Sequence, residues 1–187
     1  MKIKNILTEL KIVNINLCNY YQSLKLLKMR NEKDIRANMF TNHIISLEEH
    51  KKWLLNTKKD NTKKSFIVFR KKNIIGYLNI SNLKKNLYPP YWAFYISKKY
   101  RKVGVGLALE FLALNLFFQD MKLKKICCEV INNNKEVINL HKKFGFKETY
   151  ENKSFFIREG KKILITHLTL QRSEWDIIRK NLKIKYF

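Results

Sequence analysis

Apolar residues along this chain fall in short clusters whose spacing switches between every second position and every third or fourth. Residues 65–70 and 73–80, rich in Ile, Val and Phe, flank the polar pair Lys71-Lys72 and predict two strands joined by a turn. Residues 91–96 (Tyr-Trp-Ala-Phe-Tyr-Ile) predict another strand, with Pro89-Pro90 breaking the chain before it. Over 12–28, Ile12, Ile15, Leu17, Leu24, Leu26 and Leu27 predict a strand running into a helix that ends near Arg30-Asn31. A second short helix is predicted over 47–56. Ser46 suits its N-cap, Glu49 completes a capping box, and Trp53 and Leu54 share a face with His50. Residues 104–119 are apolar on nearly all sides, the pattern of a buried helix. Then follow a strand at 125–131, a helix at 134–144, strands near 146–157 and 162–170, and a basic helix from Glu174 to Leu182. Strands and helices in mixed order give the α/β (α+β) class.

A length of 187 residues suits one domain with a full core, and 45% hydrophobic content argues against wholesale disorder. No apolar run approaches the length of a membrane span. Asn5, Thr8, Glu9 and Lys11 interrupt what would be a signal-peptide core, so the expected location is the cytoplasm. Cys18, Cys127 and Cys128 have neither disulfide nor metal-ligand spacing and read as small buried hydrophobes; no metal is expected. The formal charge of +24 favours anionic partners and repels a polyamine. Its lysines are dispersed and no nucleic-acid motif is present, so neither nucleic acid nor a membrane is an expected partner.

Arg101-Lys102-Val103-Gly104-Val105-Gly106 lies between a predicted strand and a predicted helix. Unpaired amides at a helix N-terminus and the helix dipole make such a turn an anion site, and glycines let a pyrophosphate approach the backbone. Arg101 and Lys102 can add charge-assisted contacts. A Walker loop is excluded, because Leu107-Ala108 stand where Lys-Ser/Thr is needed; a dinucleotide fingerprint fails because position 109 is Leu.

At these residues the chain resembles the GNAT acetyltransferase superfamily, whose signature is Arg/Gln-x-x-Gly-x-Gly/Ala. A second family signature, Asn-x-x-Ala-x-x-Leu-Tyr-x-Lys-x-Gly-Phe, is met by Asn134, Leu140, Lys143, Gly145 and Phe146, with Val137 and His141 departing from it. The resemblance implies a GNAT fold: a mixed, mostly antiparallel sheet flanked by helices and split to bind acetyl-CoA. It implies that the amides of Val103, Gly104, Val105 and Gly106 hold the CoA pyrophosphate. The strand around Phe94, Tyr95 and Ile96 would pair with the pantetheine arm, and Asn134 and Lys143 would lie at the coenzyme. The implied domain spans 1–170, with an acceptor half at about 12–60, a CoA core at about 65–146 and strands at about 146–170, leaving 171–187 as a basic extension.

Acetyl transfer to an amine needs a base for the amine and a proton for the leaving thiolate. In many relatives a glutamate deprotonates the amine through water, and a tyrosine twelve residues later protonates the sulfur. Here those positions are Glu129 and His141. Glu129 reads as general base or as a salt-bridged rim residue. His141 falls on one stripe with Val137, Leu140 and Phe144, facing the cofactor groove. It reads as the acid, as a bystander to water, or as a packed core residue. A reference pKa of about 6.5 would leave it partly protonated at neutral pH.

The acceptor half resembles the branch that holds ribosomal-protein N-terminal, spermidine and nucleotide-sugar acetyltransferases. The likeness is strongest to the nucleotide-sugar enzymes of pseudaminic acid biosynthesis, which serves flagellin glycosylation. The small-molecule partner so implied is a UDP-linked 4-amino-4,6-dideoxy sugar, with a homodimer allowed. By resemblance Arg30 and His50 would meet the nucleotide, with Ser81 beside it. Met39, Phe40, Trp53 and Tyr91 would wall the deoxysugar, although the first three also suit a core. His43 and His167 carry no motif and read as structural. The alternatives are a protein N-terminal acetyltransferase and a basic binding module without catalysis; a polyamine ranks last because acidic residues are scarce in this half.

Overall fold

The computed structural model describes residues 3–84, 88–149 and 154–187. After helix α1 (Ile3–Glu9) come β1 (Leu10–Asn14), α2 (Tyr20–Arg30), the short α3 (Lys33–Ala37) and α4 (Leu47–Lys59). Strands β2 (Lys64–Arg70), β3 (Asn73–Ser81) and β4 (Tyr91–Ile96) lead into α5 (Val105–Asn115), which continues as a π-helical turn at Leu116–Asp120. Then follow β5 (Lys125–Ile131), α6 (Lys135–Lys143), β6 (Lys147–Glu148), β7 (Phe155–Arg158), β8 (Lys161–Gln171) and α7 (Arg172–Tyr186). The strand order is β1-β2-β3-β4-β5-β8-β6, with β7 beside the first part of β8. Every pairing is antiparallel except β4 with β5.

That exception positions the site. Neighbouring parallel strands normally run evenly bonded along their length. Here β4 and β5 share a single register position, Tyr91 opposite Cys127, with the Cys127 amide donating to the Pro90 carbonyl (2.8 Å). Past this junction no further register position joins the two strands among the described residues, leaving a split sheet. Period-2 alternation assigns the two faces. Trp92, Phe94, Ile96, Ile126, Cys128 and Val130 meet α5, α6 and α7 in the larger core; Ile67, Ile74, Tyr77 and Tyr95 meet α2 and α4 in a smaller one. Glu129, next to Cys128 on the strand, therefore faces the α2/α4 side.

The chain beyond residue 171, set apart in the sequence reading, completes the larger core. Trp175 on α7 is fully buried among Phe111, Phe118 and Phe144, with ring centroids 5.7, 6.3 and 6.2 Å away. Helices α1 and α3 were not predicted. The predicted strand near 146–157 resolves into β6 and β7, and its residues 150–153 lie outside the described residues. Among the described residues no helix is long and apolar enough to cross a membrane.

Candidate active site

The turn before α5 has the geometry of an anion cradle. Gly104 is the N-cap, with φ of +87°, and no side chain caps the helix. A Cβ at this left-handed position would be strained and would also crowd Ile3 and Ile6 of α1, at 3.0 and 3.1 Å. The first intrahelical bond runs from the Ala108 amide to the Gly104 carbonyl (2.9 Å), which leaves the amides of Gly106 and Leu107 as helix-start donors. The Val105 amide is already committed, donating to the Lys102 carbonyl (3.1 Å). Gly106 serves packing as well: a Cβ there would lie 3.3 Å from Leu140 of α6.

Arg101 is engaged within the chain itself. Its Nε donates to the Ile96 carbonyl (2.8 Å) and its Nη1 lies 2.5 Å from Asp34 Oδ2. Glu32 accepts from Ser97 Oγ (2.5 Å) and from the Lys98 amide (2.9 Å). Two carboxylates at the start of α3 thus anchor the turn to the acceptor half, while Arg101, Lys102 and Val103 all keep exposed surface; Val103 is 95% exposed. Across the cleft Asn134 caps α6, accepting from the Val137 amide (3.4 Å), and Lys143 is exposed at that helix's end.

Glu129 is part-exposed on β5, and strand register sets it opposite His167 of β8. His167 Nδ1 lies 3.5 Å from Glu129 Oε1, and its Nε2 lies 2.5 Å from Ser154 Oγ. His167, read from sequence as structural, thus belongs to the surroundings of the carboxylate. Tyr91 shares this face; burial, with Cys127 and Glu129 nearby, raises its phenol's pKa.

His141 is on the opposite face, 2% exposed, beneath the split. Its ring touches both margins: Trp92 and Phe94 of β4 (centroids 5.3 and 6.0 Å) and the Cys128 thiol of β5. Its Nδ1 is 2.8 Å from Oε1 of Glu110 on α5, a carboxylate with no exposed surface whose Oε2 has no hydrogen-bond partner. Burial opposes the imidazolium, but Cys128 and Glu110 outweigh it and hold His141 well above the usual histidine range. Burial likewise raises Glu110, against the pull of His141. Both directions describe one proton kept between the two groups. The expectation of a partly protonated histidine is corrected: nothing in the local sequence marks Glu110, a lone carboxylate in an apolar helix, as its partner.

In the acceptor half, Arg30 Nη2 donates to the carbonyl (2.7 Å) and hydroxyl (2.9 Å) of Thr41, while its Nη1 is buried with no hydrogen-bond partner among the described residues. Arg158 of β7 donates to the carbonyls of Ala37 (3.0 Å) and Met39, and Asn42 donates to Glu159 (2.9 Å). This clasp holds Met39 against the smaller core and sets Phe40, 49% exposed, edge-on to Phe156. His50 is enclosed at 4% exposure, bonded to Ser23 (2.9 Å) and stacked on Trp53; burial lowers its pKa. It supports Trp53 rather than offering a surface to a nucleotide. Trp53, Tyr77 and Tyr95 form a row of rings, the Tyr77 phenol pushed up to about 12 by burial despite its bond to Ser65. Ser81 donates to the Tyr91 carbonyl (3.2 Å).

The family model for an acetyltransferase (GNAT) domain matches residues 22–147. Acetyltransferase PseH of Campylobacter jejuni (strain 81-176) is 27% identical over 147 residues, 79% of this chain and 90% of that protein. Spermidine N-acetyltransferase from Vibrio cholerae, solved with CoA and spermine, superposes with a TM-score of 0.80 at 19% identity, covering 90% of this chain and 98% of that one. Campylobacter jejuni PseH in complex with acetyl coenzyme A gives a TM-score of 0.65 at 21% identity, covering 87% and 98%. With the split sheet, the uncapped helix and the matched model in agreement, this chain belongs to the GNAT family and is an acetyl-CoA-dependent N-acetyltransferase.

Proposed function

We propose that the protein acetylates the 4-amino group of UDP-4-amino-4,6-dideoxy-N-acetyl-altrosamine, a step of pseudaminic acid biosynthesis that serves flagellin glycosylation. The observation that carries this reading is Glu129, a carboxylate on the acceptor face at the split, beside Tyr91 and across from His167. There it can take a proton from the amine, directly or through water, as nitrogen attacks the thioester carbon. When the tetrahedral intermediate collapses, the C–S bond breaks and the electron pair leaves on sulfur. His141, beneath the split, supplies the proton that neutralises the thiolate. The amides of Gly106 and Leu107 hold the pyrophosphate, and the open edge of β4 takes the pantetheine arm.

An anionic nucleotide sugar is supported by the spare buried Nη1 of Arg30, the +24 charge and the PseH relatives. Met39, Phe40, Trp53 and Tyr91 offer apolar area to a deoxysugar. A polyamine fits poorly, because the acidic residues of this half are committed: Glu32 to Ser97, Asp34 to Arg101, Glu48 to Lys51, Glu49 to His43 and Asp60 to Lys63. A protein N-terminus needs an open groove for an extended peptide, whereas Arg158 and Glu159 clasp the 37–42 loop. The test is thiol release from acetyl-CoA with the UDP-4-amino sugar, peptides and spermidine in parallel. Turnover with the sugar alone, and a raised KM for the sugar but not for acetyl-CoA in Arg30→Met, is the expected result. Turnover with peptides or spermidine alone would overturn the substrate assignment.

A further inference from the structure

Helix α5 is otherwise apolar where it is buried, yet it carries Glu110 with no exposed surface, one oxygen on His141 and the other without a hydrogen-bond partner among the described residues. Burying a carboxylate this way opposes folding, so packing alone does not explain it. We propose that Glu110 is a positioning residue for catalysis: through its 2.8 Å contact with Nδ1 it fixes the ring of His141 and keeps it a proton donor to the leaving thiolate. This rests on the reading of His141 as the acid.

The molecule contains its own comparison. His50 is buried to a similar extent, but its ring nitrogen meets only the Ser23 hydroxyl, and burial lowers its proton affinity. At His141 the balance is reversed. The polar groups facing it are Glu110 from α5 and Cys128 from β5, while Trp92, Phe94 and Phe146 contribute ring surfaces only. With Nδ1 engaged by Glu110, the transferable proton is on Nε2. As the C–S bond breaks, that proton passes to sulfur, the imidazolium becomes a neutral imidazole still bonded to Glu110, and solvent reprotonates it after CoA leaves.

Two measurements test this. In Glu110→Gln the alkaline limb of the kcat profile should move to lower pH, with a loss of about ten-fold or more at pH 8 and KM for acetyl-CoA within about two-fold of wild type. An unchanged profile in a folded Glu110→Gln would overturn the proposal. In the unaltered protein, NMR of the imidazole rings should find His141 still protonated at a pH where His50 is neutral, and adding CoA, but not desulfo-CoA, should shift its resonances. A His141 that titrates with His50, or one indifferent to the CoA sulfur, would overturn it too. If wild type acetylates no amine, the catalytic reading itself fails, which is a separate outcome.

Discussion

Replacing His141 by Phe isolates the energetics of the buried pair. The two side chains are of comparable size, and His141 is enclosed by rings, so the change leaves little cavity and acts mainly on Glu110. Glu110 loses its one partner, and removing half of a buried pair costs about 3–5 kcal/mol if the charge stays. The other route is to protonate the carboxyl; from its reference of 4.5 this costs about 3.4 kcal/mol at pH 7 but only about 0.8 at pH 5. Between pH 5 and 6.5 the neutral form should therefore prevail. Its sign follows from linkage: with the folded pKa raised, stability is full below 4.5 and falls as pH rises towards the folded value. In wild type both groups are raised and their shared proton is counted once, on His141, whose contribution is full below its reference of 6.5 and falls only above it. Between pH 5 and 6.5 the variant should lose about 2 kcal/mol while wild type changes by less than about 0.5. Thermal unfolding at both pH values reads this as a variant Tm falling about 3–6 °C further than that of wild type. Parallel pH dependences, offset by a constant, would refute the shared proton.

Glu129→Gln should lower kcat about 10²-fold or more with KM for acetyl-CoA little changed; a loss of only a few-fold would assign the residue to structure. His167→Phe, which removes the ring nitrogens between Glu129 and Ser154, should lower kcat less than Glu129→Gln while leaving coenzyme affinity unchanged by calorimetry. Trp175→Ala should destabilise the protein by about 3–5 kcal/mol in urea unfolding, since the ring is fully buried; a change under about 1 kcal/mol would mean that α7 is not part of the core.

Local signals were legible wherever local physics decides. The Ser46/Glu49 capping box forms as its spacing predicts, with bonds of 3.1 and 2.7 Å, and β4 and β5 run over the residues anticipated for them. The glycine turn was visible because Gly104 must adopt a conformation other residues avoid. What stayed hidden depends on distant partners. Helix α1 is too short to stand by itself and forms because Ile3 and Ile6 pack at the Gly104 turn. The basic appearance of α7 masked the one tryptophan that anchors it. Arg101 fits a motif position, yet its side chain is claimed by Asp34, 67 residues earlier in the chain by numbering. Glu110 and His141 are 31 positions apart, and only the packing of α6 on α5 brings them together. Likewise, only the β5–β8 register brings His167 to Glu129.

The central claim, a coenzyme pyrophosphate seated on the start of α5, is tested most directly by a crystal structure with bound acetyl-CoA. The expected result places phosphate oxygens about 3 Å from the amides of Gly106 and Leu107, with the pantetheine arm entering between β4 and β5. Coenzyme bound elsewhere, or no binding at saturating acetyl-CoA, would contradict the account.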